Sequence, residues 1–137
     1  MPSYNFQSRF APLVESGEKR NTIRGRAAQV GQTAYLFTGQ RTRACRSLGK
    51  GLIHSCEPIT LGWREYGYHP TVRIDNLQLD APRMQELAVS EGFTDAREML
   101  TWFEITYKQL RALDDGTHAV FSGLLIRWEP LAKGSTA

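Results

Sequence analysis

Short β-branched and aromatic runs outnumber helical ones in this chain, and the two kinds do not alternate regularly. Thr33 to Thr38 (TAYLFT) is a strand on composition alone. Leu52 to Leu61 holds a second strand, interrupted or ended near Pro58, and Thr71-Val72-Arg73-Ile74 alternates as a short one does. Thr22-Ile23-Arg24 begins another, and Ala119 to Trp128 closes the fold as the last. Gly25 to Gly31, Gly39 to Gly51 and Trp63 to Pro70 read as connections. Phe6, Phe10, Leu13 and Val14 recur at the spacing of one helical face, with Gly17 as its left-handed stop. Pro12 lacks an N–H, so that helix either starts near Ala11 or is kinked at the proline. Asp80-Ala81-Pro82 starts a second helix with Met84, Leu87 and Ala88 on one face, and Gly92 ends it. A third begins at Thr94, with Asp95 and Glu98 early and Met99, Trp102, Phe103 and Tyr107 as its apolar stripe. A doubly wound sheet needs strands and helices in turn. The pattern instead predicts an α+β domain, a small and mostly antiparallel β-barrel with helices packed against it.

At 137 residues the chain suffices for one domain, expected over residues 1–132, with 133–137 as a flexible tail. No apolar run approaches the roughly 20 residues that cross a bilayer, and Met-Pro-Ser-Tyr does not open a secretory signal. A cytoplasmic protein without a membrane partner is the expectation. Cys45 and Cys56 then read as free thiols, with a disulfide or metal role as the alternative. His54, His69 and His118 have no metal-ligand spacing, so neither metal nor cofactor is assigned. Nothing in the pattern speaks to oligomeric state.

Polar chemistry concentrates in Ser16 to Arg24 (SGEKRNTIR). Within six residues it holds an amine (Lys19), two guanidinium groups (Arg20, Arg24), an amide (Asn21) and a hydroxyl (Thr22). Residues 1–50 carry nine Lys/Arg against two Glu, whereas 51–137 carry eight Lys/Arg against twelve Asp/Glu. A basic first third suits an anionic partner, nucleic acid or a phosphorylated small molecule, unless it is a solvated charged face. Arg41, Arg43, Arg46 and Lys50 would track a phosphate backbone, or else decorate a solvated loop. Tyr35, Phe37, Tyr66 and Tyr68 are candidates to stack a base. Tyr35 and Phe37 share one strand face, which is more often simply core.

Gly17 to Arg24 (GEKRNTIR) resembles the signature of the ASCH domain family, in which an apolar helix precedes G-x-K-x-x-T-I-R. Thr38 to Arg46 (TGQRTRACR), followed by Gly49, is similar to what phage- and prophage-type members carry after their next strand. Gly123 to Trp128 (GLLIRW) resembles the family's final strand. The resemblance implies a PUA-like barrel and an RNA-related role. One bacterial branch hydrolyses the amide of N4-acetylcytidine and related nucleosides, and another member is assigned ribonuclease activity. In the first branch a Lys and a Thr of the motif act with a Glu from a later helix. Lys19 and Thr22 match the first two, and Glu91 is the nearest match to the third. The arginine-rich stretch is absent from that branch, which tilts this chain towards a phosphorylated or polymeric ligand.

A threonine hydroxyl needs a neighbouring base to attack a carbonyl. Lys19 would serve if burial and the adjacent Arg20 and Arg24 disfavoured its ammonium form. Residues three apart on a strand face opposite ways, so Lys19 must sit in the turn after Gly17 and Thr22 already on the strand. The plainer alternative makes Lys19 a surface amine and Thr22 a strand residue. Glu91 would shuttle a proton to the leaving amine, or else is an exposed residue at a helix end. Arg20, Arg24, Tyr35 and Arg41 would hold the substrate, Arg24 sharing strand parity with Thr22. A non-catalytic RNA-binding module or ribonuclease using Arg41 to Lys50 is the rival reading, and a phage protein that engages a host factor is a third.

Overall fold

The computed structural model describes residues 2–132. The expected tail, 133–137, lies outside the described residues. The described chain is α+β, with three helices and more strand than helix. In order these are β1 (Ser3–Phe6), α1 (Ala11–Ser16), β2 (Asn21–Arg24), β3 (Thr33–Thr38), β4 (Arg46–Arg64), β5 (His69–Ile74), β6 (Leu77–Gln78), α2 (Ala81–Glu91), α3 (Ala96–Tyr107), β7 (Arg111–Ala112) and β8 (Thr117–Pro130). β3–β4, β4–β5, β5–β6 and β7–β8 pair antiparallel, whereas β1 runs parallel to β3. β8 also pairs with β2 and β4. By its internal contacts the chain forms two compact units. The first comprises residues 2–22, 27–56 and 126–132 of the described chain, the second 23–26 and 57–125.

In the first unit, β1 and β3 each show one side to a core. Tyr4, Phe6, Ala34 and Leu36 are buried, while the residues between them are not. β4 continues that inner face with Leu48, Gly51 and Ile53. The β3–β4 register slips between Leu36 and Phe37, which pair with Gly49 and Ser47. Leu48 is therefore the extra residue of a β-bulge, and Gly49 beside it takes φ 121°, a conformation that suits glycine. Phe6 sits on β1 and not on the helical face the spacing predicts: the chain turns at residues 8–10 before α1 begins. The helix starts at Ala11 with Pro12 in its first turn, the unkinked alternative. Gly17 ends it at φ 84°, its N–H donating to the Val14 carbonyl.

In the second unit, β4 and β5 pair from Ile59↔Ile74 to Arg64↔His69. β4 runs through Pro58, contrary to the expected break there. Pro58 stands just outside that ladder, where no N–H is required, and its carbonyl accepts from the Asp75 N–H at 3.1 Å. Arg46 to Gly51, Trp63 and Pro70, expected in connections, are likewise strand residues. Asp80 caps α2 by accepting from the Arg83 N–H, and Gly92 closes it at φ 101°. Asp95, one residue later than expected, caps α3 by accepting from the Glu98 N–H, while Glu98 accepts from the Thr94 N–H. Met99, Leu100 and Phe103 bury the inner face of α3, where Phe103 meets Phe121 at 5.1 Å between ring centroids. Trp102 is half-buried and Tyr107 exposed, so the stripe only partly faces the core.

Candidate functional site

The polar stretch after Gly17 turns inward. The Lys19 N–H donates to the Leu13 carbonyl at 2.9 Å, holding the residue after the helix stop against α1. Lys19 lies in the turn and Thr22 on β2, the arrangement their spacing requires. Lys19 is 4% exposed and Thr22 4%, with Asn21 buried between them. The ammonium of Lys19 stands 5.9 Å from the Phe6 ring centroid and 5.7 Å from that of Phe10, distances at which a ring face attracts a cation. Its environment is therefore aromatic, and the surface-amine alternative does not describe it.

Arg20 points the other way. Its side chain is exposed, donates to the Gly17 carbonyl at 2.7 Å and pairs with Glu129 at 3.1 Å. Its backbone is fixed as well, since the Arg20 carbonyl accepts from the Trp128 N–H at 2.9 Å. Arg24, half-buried, belongs to the second unit, where its carbonyl lies so near Gly123 that a Cβ there would stand 2.4 Å away. Side-chain room at residue 123 is given up so that backbone passes close to backbone.

Glu91 also belongs to the second unit. It is the last residue of α2 and is 3% exposed. Four residues after Leu87 and three after Ala88, it shares their buried face, so it is not the exposed end residue of the plainer alternative. That spacing was visible in the sequence. Among the described residues, Lys19 and Glu91 are the buried side chains of ordinarily charged type.

Arg41, Arg43 and Arg46 are exposed and Lys50 is half-buried, all four along the β3–β4 hairpin. Its tip is tightly built. Thr42 donates from both its N–H and its Oγ1 to the Gly39 carbonyl (3.1 and 2.6 Å), and Arg41 takes φ 64°. Arg46 pairs with Glu15 at 2.5 Å. Tyr35 and Phe37 are half-buried and lie on the side of β3 away from Ala34 and Leu36, so their shared face is not the core face. Tyr35 pairs directly with Lys50. No local pattern signals that partnership, because the bulge at Leu48 sets it.

At the β4–β5 turn, Tyr66 and Tyr68 are both exposed, yet only Tyr68 stands open, at 70%. The Tyr66 hydroxyl donates to the Glu104 carboxylate, which also accepts from the Trp63 indole N–H at 2.9 Å. Arg97 donates to the Gly67 and Tyr68 carbonyls (2.7 and 2.5 Å) and lies over the Trp63 ring. The turn is thereby tied to α3 at two points, which sequence reading missed because every partner is remote in the chain. The hydrogen bond to Glu104, then burial, then the carboxylate's charge hold the Tyr66 phenol above its usual pKa.

A small open depression of about 100 Å³, lined by Gln109, Arg111, Ala119, Phe121 and Ser122, lies in the second unit and includes none of the expected site residues. No group of three or more His, Cys, Asp or Glu able to hold a metal ion occurs among the described residues. No helix among them is long and apolar enough to cross a membrane. No family model matches the chain, and neither a curated protein nor a solved structure matches it.

Proposed function

We propose that this chain is an ASCH-type domain of PUA-like barrel form that binds a nucleoside or RNA at its basic first third and hydrolyses the amide of N4-acetylcytidine-like nucleosides. One observation carries the reading: the lysine and threonine of the motif are withdrawn from water, Lys19 at 4% exposure and Thr22 at 4%. Burying an ammonium is costly, by several kcal/mol before compensation, so a lysine kept inside a fold is a candidate for a duty that needs it there.

In this reading neutral Lys19 takes the Thr22 hydroxyl proton as the oxygen attacks the acyl carbon. The carbon–nitrogen bond breaks, the Lys19 ammonium so formed returns that proton to the leaving amine, and water then releases the acid from the threonine ester. The exposed guanidinium groups of Arg20 and Arg41 draw an anionic ligand towards the first unit. A second reading, a non-catalytic RNA-binding module or a ribonuclease, is favoured by the exposed arginines of the β3–β4 hairpin.

The test is release of cytidine from N4-acetylcytidine by the purified chain. Turnover is expected, falling by about a hundredfold or more in Thr22→Ala and in Lys19→Met. No turnover by the parent chain removes the hydrolase reading. Turnover unchanged in both variants removes the residue roles.

A further inference from the structure

The outward side of β1, β3 and β4 in the first unit has a composition that its inward side does not explain. In the parallel register Ser3 pairs with Tyr35 and Asn5 with Phe37. In the antiparallel register Tyr35 pairs with Lys50, Phe37 with Ser47 and Thr33 with Leu52. Paired residues project from the same face of a sheet, so two aromatic rings sit side by side with a lysine across from one of them. None of these residues is buried, and Leu52 is 41% exposed. The Cα atoms of Tyr35 and Phe37 are two residues apart on one strand, about 6.5 Å along it.

We infer that this face is a stacking platform for a single-stranded polynucleotide. The inference rests in part on the nucleic-acid reading above, but it names a different surface. Lys19 lies over Phe6, whose side chain is on the buried side of β1, whereas Tyr35 and Phe37 project from the opposite side.

Charge selects the class of partner. The described residues of the first unit carry eight Lys/Arg against three Glu, and the hairpin leading out of β3 presents Arg41, Arg43 and Arg46. A polyanion is drawn to such a rim. The rings select the strandedness. In a duplex the base faces are stacked on one another, so only an unpaired strand can lay bases on Tyr35 and Phe37 while its phosphates reach the arginines. The tightly bonded hairpin tip fixes the backbone of the first of those arginines before any ligand arrives.

The experiment is fluorescence anisotropy of the whole chain with a short labelled oligouridylate, the matching oligodeoxythymidylate and a blunt duplex. Both single strands should bind at low salt, at least about tenfold tighter than the duplex; preference between them reports whether the 2′-hydroxyl is read. Tyr35→Thr and Phe37→Thr, which keep strand propensity, should each weaken single-strand binding about tenfold. Tyr35→Trp keeps a ring, so it should bind as the parent does, with its added indole emission quenched by the oligonucleotide. Four results would each overturn the platform: duplex bound as tightly as single strands, no binding at low salt, threonine variants that bind like the parent, or no quenching of the indole emission added by Tyr35→Trp. The nucleoside assay fails separately. A chain that hydrolyses N4-acetylcytidine and ignores oligonucleotides loses only the platform, and one that binds them through its rings without turnover loses only the hydrolase.

Discussion

The indole of Trp128 occupies the space in front of Gly51, where a Cβ would lie 2.2 Å from Cδ1 and 2.5 Å from Cγ. Trp128 is 1% exposed and contacts Phe6 at 6.1 Å between centroids, so the ring has nowhere to withdraw. Gly51→Ala is expected to destabilise the fold by about 1–3 kcal/mol or more, read as a lower denaturation midpoint at unchanged slope. A midpoint equal to the parent's would show that the indole moves freely.

Tyr66 and Glu104 make an alkaline signature. The phenol's pKa is raised above 10.0 by its hydrogen bond to the carboxylate, then by burial and by the carboxylate's charge. A group raised in the folded state favours folding below its unfolded pKa, and the benefit is lost as pH climbs through the folded one. Phenolate absorbance should show part of the tyrosine titration moving to lower pH in Glu104→Gln, as Tyr66 returns towards 10.0. A titration curve unchanged by Glu104→Gln would contradict the bond.

The two thiols should react in order. Cys45 is exposed, whereas Cys56 is half-buried and burial raises its pKa above 9.0. The thiolate is the reactive form, so a disulfide reagent at neutral pH should label Cys45 first. The Cys56 rate should still be rising with pH beyond 9.0. Equal rates would mean that residue 56 is as open as residue 45.

Asp95 carries the start of α3, accepting from the Glu98 N–H at 2.8 Å. Asp95→Ala should cost about 0.5–2 kcal/mol, while Asp95→Asn, which keeps an acceptor, should retain most of the stability. Thermal melts of the three proteins decide it; indistinguishable melts would leave the cap without energetic weight.

Arg41 and Arg43 are exposed on the hairpin. If they meet phosphates, each change to Ala should weaken oligonucleotide binding evenly across sequences and reduce the salt slope by about 1. A loss confined to one base composition would instead mark contact with base edges.

Local signals carried the parts of the fold that local physics decides. The bounds of β3, the helix stops at Gly17 and Gly92 and the start of α2 at Asp80 all follow from residues within a turn of the event. The length of β4 did not, because Pro58 is tolerated only where the ladder with β5 ends, and that depends on a partner remote in the chain. Phe6 fell to β1 although its spacing suited a helix, since pairing with β3 outweighed periodicity. For the site, Glu91 was legible as a buried position from Leu87 and Ala88. Lys19 was not, because its charge argues for the surface and only Phe6 and Phe10 reveal the aromatic setting.

β8, the last described element, supplies the neighbour for β2, β4 and β7. During synthesis the earlier strands must therefore emerge with open edges and wait for a segment made near the end of the described chain. Open edges are where chains pair wrongly with one another. A translation product cut before residue 117 should thus aggregate more readily than one that includes residues 117–130, and chaperone demand should fall once that strand is free to join.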